Sequence, residues 1–195
     1  MQTSLTGVRR SERRLLNLLS DAAAVFGVSL LVAISAQVAI PLPFTPVPVT
    51  LQTLVVLLSA AALGSRRGPL AILLYLAEGA AGLPVFSGGR AGIGHLLGPT
   101  GGYLAGFLAA AVVVGALAEA GWTRKPLRAV AVLLAGSACI YIPGMIWLGV
   151  SVGYTRVIAL GLLPFLPGEG FKLTACLAAL SSGFLSTGRA AKPRG

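Results

Sequence analysis

Long apolar runs separated by short polar gaps make up nearly the whole chain. The runs cover about residues 22–40, 49–64, 69–83, 101–119, 127–150 and 170–187. A helix needs about 20 residues to cross a bilayer, so the pattern predicts a six-helix membrane domain over 22–187. The second and third runs are short and end in Pro- and Gly-rich stretches. A lipid-exposed helix has no reason to stop early, so these ends are expected to open into a cavity. Ahead of the first run, RRSERRLLNLLS at 9–20 alternates arginines with paired leucines. This predicts an interfacial amphipathic helix within an N-terminal segment 1–21. The apolar piece 157–166, closed by Pro164 and Pro167, reads as a short outer-face helix or loop, and 188–195 as a basic tail. The first apolar run is 19 residues, longer than a usual signal-peptide core, and further membrane segments follow, so a cleaved leader is not expected. No repeat of fixed period supports an inverted-repeat transporter.

One gap is unusual. Residues 40–53, IPLPFTPVPVTLQT, contain Pro41, Pro43, Pro46 and Pro48 between two membrane-length runs. Proline-rich backbone cannot close a helical ladder, and unpaired peptide groups are not tolerated in lipid. The segment must be buried in protein or line a wet cavity, and it reads as the lid of a binding site.

Composition fixes the solvent. Hydrophobic residues make up 56% and charged residues 10%, far from the roughly 25% charge of soluble domains. The net charge of +10 could suggest nucleic acid, but the 15 basic residues are not in one patch. Arg9, Arg10, Arg13, Arg14, Arg66, Arg67, Arg124, Lys125, Arg128, Arg189, Lys192 and Arg194 fall at gaps on one side of the predicted bundle, and only Arg90, Arg156 and Lys172 on the other. That is the asymmetry of a multi-pass protein with both termini cytoplasmic, and it argues against a nucleic-acid partner.

Catalytic chemistry is poorly supplied. There is no phosphate-binding loop, since the cluster Gly88, Gly89, Gly92, Gly94 lacks the required lysine and hydroxyl. His95 is the single histidine, and Cys139 and Cys176 lie on different predicted spans, so a metal site cannot be assembled. Of the acids, Glu12, Asp21 and Glu119 read as surface charges. Glu78 falls inside the third span, where a carboxylate either lines a cavity or is paired structurally, and both readings stand.

The strongest local constellation is Pro167-Gly-Glu169-Gly-Phe-Lys172 at the start of the last span. Glu169 and Lys172 share a helical face. A lysine at the positive end of a helix costs stability unless an anion is expected, so it reads as a carboxylate clamp, with an ordinary Glu–Lys surface pair as the alternative. Two further segments converge there, Gly82 to Arg90 with Phe86, and Gly98 to Tyr103 with Thr100. Gly102, Gly106 and Ala110 form a helix-packing stripe. Ala22, Ser29, Ala33 and Ala36 share a face of the first span and either pack inside the bundle or admit a partner membrane protein.

The stretches IPLPFTPVPVTLQTL, GLPVFSGG, GPTGGYLAGF and PFLPGEGFK, within residues 24–186, resemble the signatures of the BioY family, biotin-binding subunits of energy-coupling-factor (ECF) transporters. The resemblance implies an all-α, six-helix S-component fold in a prokaryotic plasma membrane. It implies vitamin capture from outside without a cofactor, and uptake driven by a scaffold protein and two ATPases. It also implies site roles: Glu169 in polar contact with biotin, Lys172 in ionic contact with its carboxylate, and Phe44, Phe86 and Tyr103 around the rings. Thr50, Gln52, Ser87 and Thr100 are further hydrogen-bonding candidates, with Glu78 another, and the small face of the first span becomes a scaffold-docking surface. The family usually carries Asp at the position of Glu169, so the acid here reaches about one bond further. Alternatives are another small anionic vitamin, facilitated transport without ATPases, or an intramembrane enzyme using Glu169, Lys172 and His95. The last lacks a nucleophile–base pair.

Overall fold

The computed structural model describes the backbone of residues 2–181 and the side chains from Glu12 to Leu180. The tail 188–195 and the end of the sixth predicted span lie outside the described residues, as do the side chains of Arg9 and Arg10. Among the described residues the fold is helical apart from one short hairpin.

The first helix, α1 (Gln2–Gln37), is continuous. The expected interfacial segment and first span therefore merge, because no proline interrupts the chain before Pro41. Strands β1 (Ala39–Ile40) and β2 (Val49–Thr50) pair antiparallel, Ala39 opposite Thr50 and Ile40 opposite Val49. The four prolines lie in the hairpin's connection, where no ladder hydrogen bond is required of them.

Helix α2 (Gln52–Ala80) contains Gly64 at φ 79°, ψ −173°, a region open almost only to glycine. There the chain doubles back. The Gln52 amide lies 2.8 Å from the Tyr75 hydroxyl, whereas 23 residues of straight helix would separate them by roughly 35 Å. The arms 52–63 and 65–80 thus run antiparallel, matching the short second and third apolar runs. Glu119 fastens the reversal by accepting from Ser65 N (2.9 Å) and Ser65 Oγ (2.7 Å), and Arg67 pairs with Asp21 of α1 at 2.8 Å.

After α3 (Ile93–Leu96), helix α4 (Gly101–Glu119) runs through the centre, packed against both α2 and α5 (Pro126–Val152). The core fills this junction with Val56, Leu57, Leu104, Phe107, Val114 and Leu133. The stripe on α4 works as expected: a Cβ at Gly106 would come within 2.7 Å of the Ile140 Cα, so glycine lets the two backbones meet. Helices α6 (Val157–Gly161) and α7 (Leu166–Ser181) complete the bundle. Outward faces are apolar, including Phe26, Leu30 and Ile34 one helical turn apart on α1. By length and composition α4, α5 and residues 12–37 of α1 can each cross a membrane, whereas the apolar stretch Gln52–Ala80 is divided by the reversal at Gly64 into two shorter arms.

The small-residue face of α1 needs correcting. Ser29, Ala33 and Ala36 are buried, and Ser29 donates to Glu78 Oε2 at 2.6 Å. These residues pack α1 against its own bundle, and only Ala22 of the four is exposed. The same bond gives Glu78 a structural partner on α1, and Glu78 is not among the residues that line the cavity described below.

Candidate functional site

Where α7 begins, three side chains close a triangle. Lys172 Nζ lies 2.8 Å from Glu169 Oε1 and 2.9 Å from Thr53 Oγ1, and the Thr53 hydroxyl donates to the same Glu169 oxygen at 2.9 Å. Glu169 and Lys172 are each 5% exposed. An uncompensated charge at that depth would cost several kcal/mol, so the acid and base are each other's counterion. The triangle is nonetheless incomplete. An ammonium has three donors and two are used here. Glu169 Oε2 is buried without a partner in good hydrogen-bond geometry among the described residues, and the Tyr141 hydroxyl is the neighbour close enough to interact with the Glu169 carboxylate. A buried acceptor left unpaired is costly, so the arrangement is suited to a ligand that offers one donor and one acceptor side by side.

Lys172 and Thr53 face a partly open space of about 550 Å³, a figure that includes the solvent at its mouth. Two aromatic sets wall it. In one, Tyr103, Tyr141 and Phe165 lie with ring centroids 6.0 to 6.5 Å apart, and the Tyr103 hydroxyl is spent on the Gly161 carbonyl at 2.8 Å, tying α6 to α4. In the other, Phe86 stacks on His95 at 4.9 Å and meets Tyr75 edge-on at 5.6 Å. Phe86 seats on Gly79, where a Cβ would overlap its ring.

The polar lining has its own order. Gln52 donates to Tyr75, which donates onward to the Val85 carbonyl at 3.3 Å, and Thr50 donates to Gln52 Oε1 at 3.3 Å. His95 Nε2 and Thr100 Oγ1 are 3.3 Å apart. Burial first, and the Arg90 cation second, hold the His95 imidazole below its ordinary value. The hairpin contributes Val47, Pro48 and Thr50 to the wall, and Thr45 anchors it to the Leu160 carbonyl at 2.8 Å.

Of the residues singled out from sequence, Thr50, Gln52, Phe86, Ser87, Thr100, Tyr103 and Lys172 line this space, and Glu169 is fastened behind Lys172. Phe44 does not belong. It is 57% exposed, because its neighbour Thr45 is turned inward onto Leu160. Thr53, Tyr141, Phe165 and the cavity position of His95 were not foreseen. Thr53 directly follows Gln52, and the hydroxyl of an apolar helix was the one available signal.

An apolar helical bundle of this kind, with a buried charge pair beside an aromatic-walled cavity, is the architecture of a multi-pass membrane protein. The chain belongs to the BioY family, whose model matches residues 3–187. It is 46% identical over 162 residues to the biotin transporter BioY of Rhodobacter capsulatus, covering 74% of this chain and 82% of the relative. It is 43% identical over 154 residues to the biotin transporter BioY of Thermotoga maritima, covering 77% and 88%. Its fold matches the crystal structure of the S-component for biotin from an ECF-type ABC transporter with a TM-score of 0.77 at 26% identity, over 85% of this chain and 91% of that one.

Proposed function

We propose that this chain is the membrane-embedded biotin-capturing subunit of an uptake system, a transporter component rather than an enzyme. The observation that carries the reading is the unfinished triangle of Glu169, Lys172 and Thr53 facing the cavity. Biotin's ureido group presents an N–H and a carbonyl side by side. The carbonyl accepts the remaining Lys172 donor, and the N–H reaches the Glu169 carboxylate once the first turns of α7 yield, because Glu169 is fastened behind Lys172 and does not itself line the cavity. This revises the expected carboxylate clamp, because the Lys172 charge is already balanced by Glu169 at 2.8 Å. The thiophane ring then lies between the Tyr103 and Phe86 walls.

Six membrane crossings follow if α1, the two arms of α2, α4, α5 and α7 each count once. Arg66 and Arg67 next to the Gly64 reversal, with Arg124, Lys125 and Arg128, mark one end as cytoplasmic. The few basic residues at the other end, Arg90, Arg156 and Lys172, support an orientation with the proline hairpin and the cavity mouth outside and both termini inside. The chain has no nucleotide-binding loop, so energy is supplied by a partner scaffold and two ATPases, in keeping with the ECF system from which the matched structure comes.

Calorimetric titration of the purified protein with biotin, and with a panel of other anionic vitamins, tests the substrate. Saturable biotin binding without comparable binding of the others is expected. No biotin binding, or equal affinity for another vitamin, would overturn the assignment. Uptake into cells lacking any partner ATPase would instead support facilitated transport.

A further inference from the structure

Gln37, the last residue of α1, is absorbed neither by the core nor by the cavity lining. Its side-chain amide is engaged at both ends. Nε2 donates to the Phe86 carbonyl (3.2 Å) and the Val85 carbonyl (3.4 Å), as well as to Ala33 O of its own helix (3.2 Å). Oε1 accepts from Gly89 N at 3.1 Å. The turn it grips is the one that carries Phe86 and Ser87 into the cavity wall. That turn is closed internally by Phe86 N to Arg90 O (3.0 Å) and Gly89 N to Phe86 O (3.1 Å).

Gln37 also sits two residues before β1, at the foot of the proline hairpin that supplies the opposing rim through Val47, Pro48 and Thr50. From the other side, Gln52 reaches the same turn through Tyr75 and the Val85 carbonyl. Removing Gln37 would leave the Gln52 connection in place and cut the link to α1.

We infer that Gln37 is a positioning residue that braces the two rim segments of the cavity against each other, and so sets how fast ligand enters and leaves. It does not touch the ligand. A brace of this kind acts on both rates together, whereas loss of a ligand contact appears mainly in dissociation. Side-chain amides that cap backbone groups are also replaceable in stability terms at an exposed position, which Gln37 occupies. A purely structural role would show as at most a small drop in melting temperature without selective opening of the turn.

The inference rests on the biotin reading, and two independent measurements keep the two separable. Hydrogen exchange of residues 83–92 in ligand-free protein reads the brace directly. Gln37→Met, similar in volume but without the amide, is expected to speed exchange there at least tenfold while α4 and α5 keep their protection. Stopped-flow binding of biotin to the same variant is expected to show association and dissociation rates both raised about fivefold or more, with the dissociation constant shifted less than threefold. Gln37→Glu, which keeps the acceptor for Gly89 N but sets a carboxylate against two carbonyls, is expected to move both rates the same way and serves if the first variant does not fold. Unchanged exchange at 83–92, or a change in dissociation alone, would overturn the brace. Absence of biotin binding in the parent protein, with exchange accelerated as described, would refute the ligand and leave the brace standing.

Discussion

Lys172→Met is the most informative perturbation, because it separates ligand recognition from folding. In the folded chain the ammonium serves Glu169 at 2.8 Å and Thr53 at 2.9 Å and is 5% exposed. Deleting one side of such a buried pair costs roughly 3–5 kcal/mol of stability, since Glu169 is left with a single donor. The ligand contact adds a second loss. Truncating one partner of a desolvated charged hydrogen bond costs about 2–4 kcal/mol of affinity, or roughly 30- to 1000-fold in Kd at about 1.4 kcal/mol per decade. The two losses separate in the variant Lys172→Met with Glu169→Gln. There no charge is stranded, so thermal stability should return to near the parent value while biotin affinity stays weak. The assay is calorimetry with biotin and with biotin amide, alongside thermal unfolding in the same detergent. Because the ureido end is assigned to the triangle, the amide should bind the parent protein nearly as well as biotin and should lose as much in the variant. A folded Lys172→Met protein with affinity within threefold of the parent would remove Lys172 from the site. An amide that fails to bind the parent would show that the carboxylate, not the ureido group, meets the lysine.

Three further perturbations probe the surroundings. Gly64→Ala places a Cβ at φ 79° against the Glu119 carboxylate and should cost about 1–3 kcal/mol, read as a lowered unfolding temperature; no change would contradict the reversal at this residue. Glu78→Ala should lower stability by about 1–3 kcal/mol through loss of the Ser29 partner while biotin affinity stays within twofold, and a large loss of affinity would return Glu78 to the site. For His95 the folded imidazole titrates below 6.5, so the unfolded chain takes up a proton first as pH falls. Stability is therefore unpenalised above about pH 6.5 and declines below it until the folded ring itself protonates; the drop in melting temperature from pH 7.5 to 5.5 should shrink in His95→Phe, and an equal drop in both would assign the effect elsewhere.

Features that one segment decides by itself were legible in the sequence. Apolar run lengths placed the breaks near Gly64, Gly82 and Gly121, and Lys172 stood out as a cation inside an apolar run, although α7 starts six residues earlier at Leu166, so the helix-dipole argument that singled it out does not apply. Features decided by two distant segments were not. Glu78 is claimed by Ser29 of α1, 49 residues away, and the inward face of α1 follows from that packing rather than from its small residues. His95 becomes a cavity wall only because Phe86 folds beneath it. Phe44 has the size and neighbourhood of a site residue, but the side on which a hairpin connection presents each residue depends on the anchor of Thr45 to Leu160.

The bond between Glu169 and Lys172 bears on release as much as on capture. A bare ammonium in so dry a chamber would hold an arriving acceptor tenaciously, and a carrier that cannot let go is an inhibitor of its own cycle. With its counterion built in, the lysine stays neutralised whether or not its third donor is occupied, so an emptied site leaves no unbalanced charge behind.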